Sequence, residues 1–195
     1  MHYFHKNRES GFTLVELLIA MTIGLIILTA LSSTFLMQRK IYDVQEQIVE
    51  MVQTARAAMD MMTREIRMAG YDPTGLANAG IVSATSNSIN FTLDITDDAG
   101  TGPPDGDTGD SNENITYSLY TPADGIQKLG RKSTSTAVNQ PVAENIENLQ
   151  ISQSGNSINV SLTARTSKAD SDYSTNNGYR THTLTSLITP RNLAF

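Results

Sequence analysis

The sequence contains no cysteine and no tryptophan, and its only histidines are His2, His5 and His182. Without cysteine the chain forms no disulfide, so an exported domain of this size has to be held together by its core and by packing on a helix. No histidine pair has the spacing of a zinc site, and no glycine-rich loop is typical of phosphate binding. His182 has no nucleophile motif beside it. We therefore predict that the protein is not an enzyme.

Positive charge is scarce in the second part of the chain. Beyond Gly70 the sequence has seven Lys and Arg residues against thirteen Asp and Glu residues. Binding to the phosphates of a nucleic acid needs clustered positive charge, and the adjacent Arg131 and Lys132 offer only a small patch. Nucleic acid is therefore not an expected partner.

Proline is absent between Phe12 and Pro73, and this stretch has the pattern of one long helix. In its second half apolar residues recur at spacings of three and four, which form one face of a helix: Ile41, Val44, Ile48, Met51, Ala55, Ala58, Met62 and Ile66. Gly70 suits the position after a helix end, and Pro73 cannot continue a helix. We expect a helix from Phe12 to about Ala69, which would be roughly 85 Å long.

Methionine is frequent on the second half of this predicted helix. Five methionines lie there: Met51, Met59, Met61, Met62 and Met68. Methionine at helical spacing is more often core filler than a metal or ligand surface. We expect these side chains to pack in the core.

The first half of the predicted helix is apolar, and Glu16 is the only charged residue from Phe12 to Met37. A helix needs about 20 mostly apolar residues to cross a bilayer, so this run is long enough. An ionised Glu inside hydrocarbon costs about 2.5 kcal/mol or more, so it needs a partner. No Lys or Arg follows it within two turns. A cut after Gly11 would create such a partner, because it leaves a positive amine on Phe12 about one turn away.

The residues from Gly11 to Leu18 read Gly-Phe-Thr-Leu-Val-Glu-Leu-Leu, and they resemble the class III signal of type IV prepilins and of type II secretion pseudopilins. The resemblance implies that a prepilin peptidase cuts between Gly11 and Phe12 and methylates Phe12. It also implies that Glu16 neutralises the amino terminus of an adjacent subunit during assembly. The implied partners are other minor and major pilins and an inner-membrane assembly platform.

The same resemblance sets an expected topology and domain organisation. The amino end would lie in the cytoplasm, the protein would span the inner membrane once, and the rest would be periplasmic before it joins a surface pilus. The expected segments are a leader peptide (1–11), a transmembrane half-helix (12–37), an amphipathic half-helix (38–70) and a β-rich head (71–195).

A second resemblance lies at the predicted helix end. Residues 62–71, Met-Thr-Arg-Glu-Ile-Arg-Met-Ala-Gly-Tyr, resemble a segment of the PilW-type minor pilins, and J-type pseudopilins carry a looser version. Many major pilins have a proline in the membrane half and a carboxy-terminal disulfide, and this chain has neither. Small Ala69 and Gly70 would let the chain turn tightly, and Tyr71 would pack back on the helix.

The head alternates apolar and polar residues in several short runs, which predicts an antiparallel sheet and an α+β fold. Predicted strands cover these ranges: 80–84, 88–95, 113–120, 126–131, 157–166 and 181–188. Residues 142–151 have apolar positions that favour a short helical turn leading into a strand.

The segment 96–112 is rich in Asp, Gly and Pro and reads as a long loop. Asp105, Asp107 and Asp110 offer oxygen ligands of the kind that calcium prefers. The spacing is not that of an EF-hand, because Gly109 stands at the fifth position and Thr116 at the twelfth. The sequence leaves two interpretations open, a solvated flexible loop and a weak calcium loop.

The sequence therefore favours a minor pilin that helps to initiate assembly of a type IV pilus, placed near its tip. One alternative is a J-type pseudopilin in a type II secretion pseudopilus. The other is a pilus-borne adhesin that binds through the acidic loop.

Overall fold

The computed structural model describes residues 11–136 and 138–193. The expected leader, apart from Gly11, lies outside the described residues. The elements are a long helix, eight strands and one short 3-10 turn: α1 (Leu14–Met68), β1 (Ile81–Thr85), β2 (Ser88–Thr92), β3 (Asn114–Tyr120), β4 (Lys128–Ser133), β5 (Gln140–Glu144), β6 (Ile146–Ser154), β7 (Ser157–Arg165), the turn Asn176–Gly178 and β8 (Thr181–Ile188). The predicted α+β fold, with a long amino-terminal helix followed by antiparallel strands, is confirmed.

The chain divides into two compact units, residues 1–45 and 46–195. In the first unit the side chains from Gly11 to Asp43 are all exposed, including a continuous series of Leu, Ile, Val and Phe. By length and composition α1 is able to cross a membrane, with a mean hydropathy of 2.5 over its most apolar window. Exposed apolar surface of this extent is unfavourable in water and fits a membrane-anchored helix.

In the second unit one face of α1 packs into the core. Its buried residues follow the predicted spacing of three and four: Met51, Ala55, Ala58, Met59, Met62 and Ile66. The expectation for the methionines is wrong at two positions, since Met61 and Met68 are 37% and 42% exposed. Both lie off the buried face of the helix, where periodicity rather than residue type decides burial.

The last described residues of the chain form hydrogen bonds with the carboxy-terminal end of α1. Gly70 has a φ of +79°, as expected for the residue that ends a helix, and its N–H donates to the Thr92 carbonyl at 3.0 Å. The Arg191 N–H donates to the Arg67 carbonyl at 3.1 Å, and the Asn192 side-chain amide donates to the Met68 carbonyl at 3.3 Å. These bonds satisfy carbonyls that a helix end leaves without partners.

The strands form two antiparallel sheets, one with the order β1-β2-β3-β4-β5 and one with the order β6-β7-β8. The largest fully buried side chains come from both sheets and from α1, and they include Phe91, Tyr117, Leu129, Leu149, Leu162 and Met62. The core of the second unit therefore joins the amphipathic part of the helix to both sheets.

The expected helical turn at 142–151 is wrong. Strands β5 and β6 occupy this region, and Asn145 lies between them with a φ of +56°. Asn tolerates this left-handed conformation, which interrupts the extended chain and lets it leave one sheet and enter the other. The Ile146 N–H then donates to the Gln127 carbonyl at 3.1 Å. Apolar spacing alone did not distinguish a helical turn from two strands with a one-residue kink.

Candidate functional site

The expected cleavage site lies directly before α1, which begins at Leu14. Phe12 is 92% exposed, and apart from the residues adjacent to Gly11 in the chain no described atom lies within 4 Å of the position that a Cβ on Gly11 would occupy. The peptide bond between Gly11 and Phe12 is thus open to approach in the described part of the chain. This segment has no regular secondary structure, so the Gly11–Phe12 bond is not part of the helix.

Glu16 lies in the first turn of α1, and Thr13 immediately precedes the helix. The backbone N–H and the hydroxyl of Thr13 both donate to Oε2 of Glu16, each at 2.8 Å. In return the Glu16 N–H donates to Oγ1 of Thr13 at 3.2 Å. This reciprocal arrangement is a capping box, which satisfies donors that a helix start leaves free.

Thr13 was missed by the sequence analysis, which sought a partner for Glu16 only among positive groups. The pattern Thr-x-x-Glu ahead of an apolar run is a sequence signature of a capping box, and it would have identified Thr13. A local hydrogen-bond partner therefore compensates part of the cost of the Glu16 carboxylate.

The other polar side chains in the apolar part of α1 also bond within the helix. The hydroxyls of Thr22, Thr29 and Ser32 donate to the carbonyls of Ile19, Leu25 and Leu28, each at 2.8 Å. A hydroxyl in hydrocarbon needs such a partner because no water is present to bond it. The side-chain hydroxyls between Leu14 and Met37 therefore all donate to carbonyls of the same helix.

The acidic loop brings carboxylates together in two groups. Oxygens of Asp98, Asp105 and Asp107 lie within 4.8 Å of one another, and so do oxygens of Asp107, Asp110 and Glu113. The predicted ligands Asp105 and Asp110 thus fall in different groups that share Asp107. The chemistry of either group, three carboxylate oxygens, fits calcium.

Glu113 holds the acidic loop in place from a fully buried position. Its Oε1 accepts hydrogen bonds from the N–H groups of Ile95 and Thr96 at 2.8 and 2.9 Å, and its Oε2 accepts one from the Asp110 N–H at 3.2 Å. In addition, Oδ2 of the buried Asp94 accepts a bond from the Gly106 N–H at 3.1 Å. Carboxylate-to-backbone bonds therefore fix the course of this loop.

Asp110 has a buried carboxylate oxygen that is not compensated by a hydrogen bond. Its Oδ2 is buried and has no hydrogen-bond partner among the described residues. Burial, followed by the negative charges of Glu113, Asp105 and other loop carboxylates, raises the pKa of Asp110 to about 6. A bound cation or a proton on Asp110 would relieve the repulsion.

Comparison with known proteins identifies one feature. The model of the prokaryotic N-terminal methylation motif matches residues 6–32, which include Gly11, Phe12 and Glu16. No curated protein and no solved structure matches the chain. The motif and the long apolar helix are consistent with a type IV pilin-like protein in pilus or pseudopilus assembly. Proteins with this motif are structural subunits rather than enzymes, and the motif implies processing by a prepilin peptidase and assembly with other pilins.

Proposed function

We propose that this protein is a minor pilin, assembled through α1 into a type IV pilus near its tip, where it helps to prime polymerisation. The observation that carries the proposal is the position of Glu16. It is the only charged side chain of an apolar helix start, and it lies one turn from Phe12 within the methylation motif. The absence of cysteine and of a helix-breaking proline supports a minor rather than a major subunit.

The proposed mechanism is physical. Cleavage after Gly11 leaves an amine on Phe12, and this amine, once methylated, remains a cation. Subunits anchored in the inner membrane with cytoplasmic amino ends associate laterally through their apolar helices. Pairing of Glu16 with the Phe12 amine of a neighbour then removes two unpaired charges from hydrocarbon in one step, which favours the assembled state.

The proposal is tested by replacing Glu16 with Ala or Leu in the organism that makes the protein. We expect both variants to be cleaved normally and to be nearly absent from sheared filaments, with a strong reduction in the number of pili. Glu46→Ala, which removes an exposed carboxylate farther along the same helix, is the matched control and should assemble normally. Normal recovery of the Glu16 variants in filaments would refute the mechanism.

The alternative assembly is a type II secretion pseudopilus, because pseudopilins share the amino-terminal motif. The genes beside the coding sequence discriminate the two: we expect a cluster of minor pilins and a large tip adhesin rather than a secretion operon with its secretin. Loss of protein secretion, with pili intact, in a deletion strain would favour the pseudopilin.

A further inference from the structure

Four strands lie at the edges of the two sheets: β1 and β5 in one sheet, and β6 and β8 in the other. An edge strand presents main-chain N–H and C=O groups that can pair with another chain. Proteins usually protect such an edge by a short length, a proline, a charged side chain, a bulge or a covering segment. The four edges of this protein differ in how well they are protected.

Both edges of the five-stranded sheet are protected. Strand β5 has five residues, includes Pro141, and ends at Glu144, which forms an ion pair with Lys128 at 2.6 Å. Strand β1 also has five residues, and its register with β2 shifts between Ile81 and Ser83. Short and irregular edges offer few regularly spaced groups to a further strand.

The edge of β6 is covered by segments of the other sheet. The Ile146 N–H donates to the Gln127 carbonyl at 3.1 Å, and the Ile151 N–H donates to the Ser86 carbonyl at 2.9 Å. Gln127 directly precedes β4, and Ser86 directly follows β1. A further strand would have to displace these two bonds.

Strand β8 has none of these protections. It has eight residues, contains no proline and no Asp, Glu, Lys or Arg, and pairs with β7 in an unbroken register from Thr181 to Ile188. Among the described residues its main chain forms hydrogen bonds only with β7. The side chains of Thr181, Thr183, Thr185 and Leu187 are exposed. One edge of a long, regular and uncharged strand is therefore open.

We propose that β8 is a docking edge, to which an extended, uncharged segment of another pilin subunit adds as a fourth strand of the β6-β7-β8 sheet. The inference rests on assembly with other pilins, which the proposed function includes. The free groups define the partner, because a row of main-chain N–H and C=O groups at strand spacing is matched by another extended chain. The segment is uncharged, since β8 has no charged side chain to lie opposite an ion.

A second copy of this chain fits the edge less well than a different subunit. Antiparallel pairing of two β8 strands requires a two-fold axis perpendicular to the sheet, because both copies use the same edge. The buried residues of α1 from Met51 to Ile66 follow the core along the helix, so this axis would run the two helices in opposite directions. Subunits that assemble from one membrane run their helices in the same direction.

Proline substitutions test the edge through its main chain. The N–H groups of adjacent strand residues point to opposite edges, so one of Leu184→Pro and Thr185→Pro removes a bond to β7 and the other removes only a free N–H. The melting temperature of the full-length protein in detergent identifies the variant that keeps the fold. We expect its share in sheared filaments to fall by about ten-fold, the effect of losing one or two hydrogen bonds. A normal share for this variant would overturn the inference.

A lysine tests the same edge through a side chain and does not depend on the proline variants. Thr185→Lys places a charge on the edge strand, which opposes pairing with an uncharged segment. Asn159→Lys is the matched control, because Asn159 is exposed on the same face of the sheet but lies on the central strand β7. We expect the share in filaments to fall for Thr185→Lys alone. Equal losses for the two variants, or no loss for Thr185→Lys, would contradict the docking role.

Photo-cross-linking identifies the partner. Because the sequence has no cysteine, Thr185→Cys gives a single attachment point for a photoreactive maleimide. We expect cross-links in filaments to an uncharged segment of another pilin, whereas Asn159→Cys should give none. Cross-links to a second copy of this chain, or to no other subunit, would overturn the inference.

Glu16→Ala, measured in parallel, keeps this inference distinct from the proposed function. If Glu16→Ala assembles normally, the proposed function fails. If Glu16→Ala is defective while Thr185→Lys and the folded proline variant assemble normally, only the docking role of β8 fails.

Discussion

The Tyr117 hydroxyl donates a 2.7 Å hydrogen bond to Oε2 of Glu65, and this bond joins the helix to the middle of the five-stranded sheet across 52 residues of sequence. Arg131 on β4 adds to the junction, since its Nε lies 3.1 and 3.0 Å from the two Glu65 oxygens. Burial is the main cause that raises the pKa of Tyr117, so the phenol stays protonated and remains a donor. The amphipathic part of α1 is thus fixed to the sheet by a polar contact inside the apolar packing.

Replacing Tyr117 with Phe removes this hydroxyl and keeps the ring. We expect a loss of about 1–2 kcal/mol in the free energy of unfolding, because a hydrogen bond to a charged group is lost while Arg131 still pairs with Glu65. The measurement is denaturant unfolding of the full-length protein in detergent. Tyr173→Phe is the control, since the hydroxyl of Tyr173 makes no hydrogen bond within the described residues and its ring retains the contact with Arg180. Equal effects of the two variants would contradict the role of the Glu65 bond.

Gly70 combines a left-handed backbone with a close neighbour. A Cβ at this position would come within 2.7 Å of Cδ2 of Leu193, so Gly70→Ala meets both strain and a clash. We expect a loss of about 1–3 kcal/mol in the free energy of unfolding. Gly75 has a similar φ of +72°, but apart from its chain neighbours no atom lies within 4 Å of its Cβ position. Gly75→Ala therefore measures the cost of the left-handed backbone alone, without a clash. A smaller loss for Gly70→Ala than for Gly75→Ala would show that the carboxy-terminal segment does not pack on the helix end.

The raised pKa of Asp110 predicts a pH dependence of stability. The folded state holds a proton on Asp110 up to about pH 6, whereas the usual value is 3.8, so the unfolded state releases it earlier. The contribution of this group therefore favours folding below pH 3.8 and is lost as the pH rises through about 6. We expect the melting temperature of the unmodified protein, taken relative to Asp110→Asn, to be higher at pH 4.5 than at pH 7.5. If the difference in melting temperature between the unmodified protein and Asp110→Asn does not vary with pH, the pKa of Asp110 is not raised.

The hypothesis of a calcium loop gives a separate prediction for the group of Asp107, Asp110 and Glu113. If calcium binds there, it replaces repulsion with coordination, and the melting temperature at pH 7.5 rises with millimolar calcium and falls back with a chelator. Asp110→Asn should remove most of this response, and magnesium should reproduce little of it. An unchanged melting temperature leaves the solvated loop as the interpretation.

Processing is tested at Gly11. A bulky side chain next to the scissile bond should block the peptidase, so we expect Gly11→Val to accumulate at the size of the precursor on a blot. Gly24→Val is the matched control, because Gly24 lies inside the apolar helix and, apart from its chain neighbours and the backbone of its own helix, no described atom lies within 4 Å of its Cβ position. A mature-sized band from Gly11→Val would place the cut elsewhere.

Much of this fold was readable from the sequence because its signals are local. The long helix follows from an apolar run, a spacing of three and four, and the terminal Gly70, all properties of neighbouring residues. Strands such as β2 and β7 show the two-residue alternation of a half-buried sheet. The capping box of Thr13 and Glu16 is equally local, and it was missed only because a charged partner was sought.

The sequence by itself thus determined the helix, most of the strands and the position of the N-terminal methylation motif. The tertiary structure alone decided the contact of Glu65 with Tyr117, the closure of the helix end by Arg191 and Asn192, and the division of the acidic loop into two carboxylate groups. It also decided that Asn145 separates two strands. Each of these features depends on a contact between residues distant in the chain or on a single backbone angle. Contacts and angles of this kind leave no periodic pattern in the sequence, because periodicity reports only which face of an element is buried.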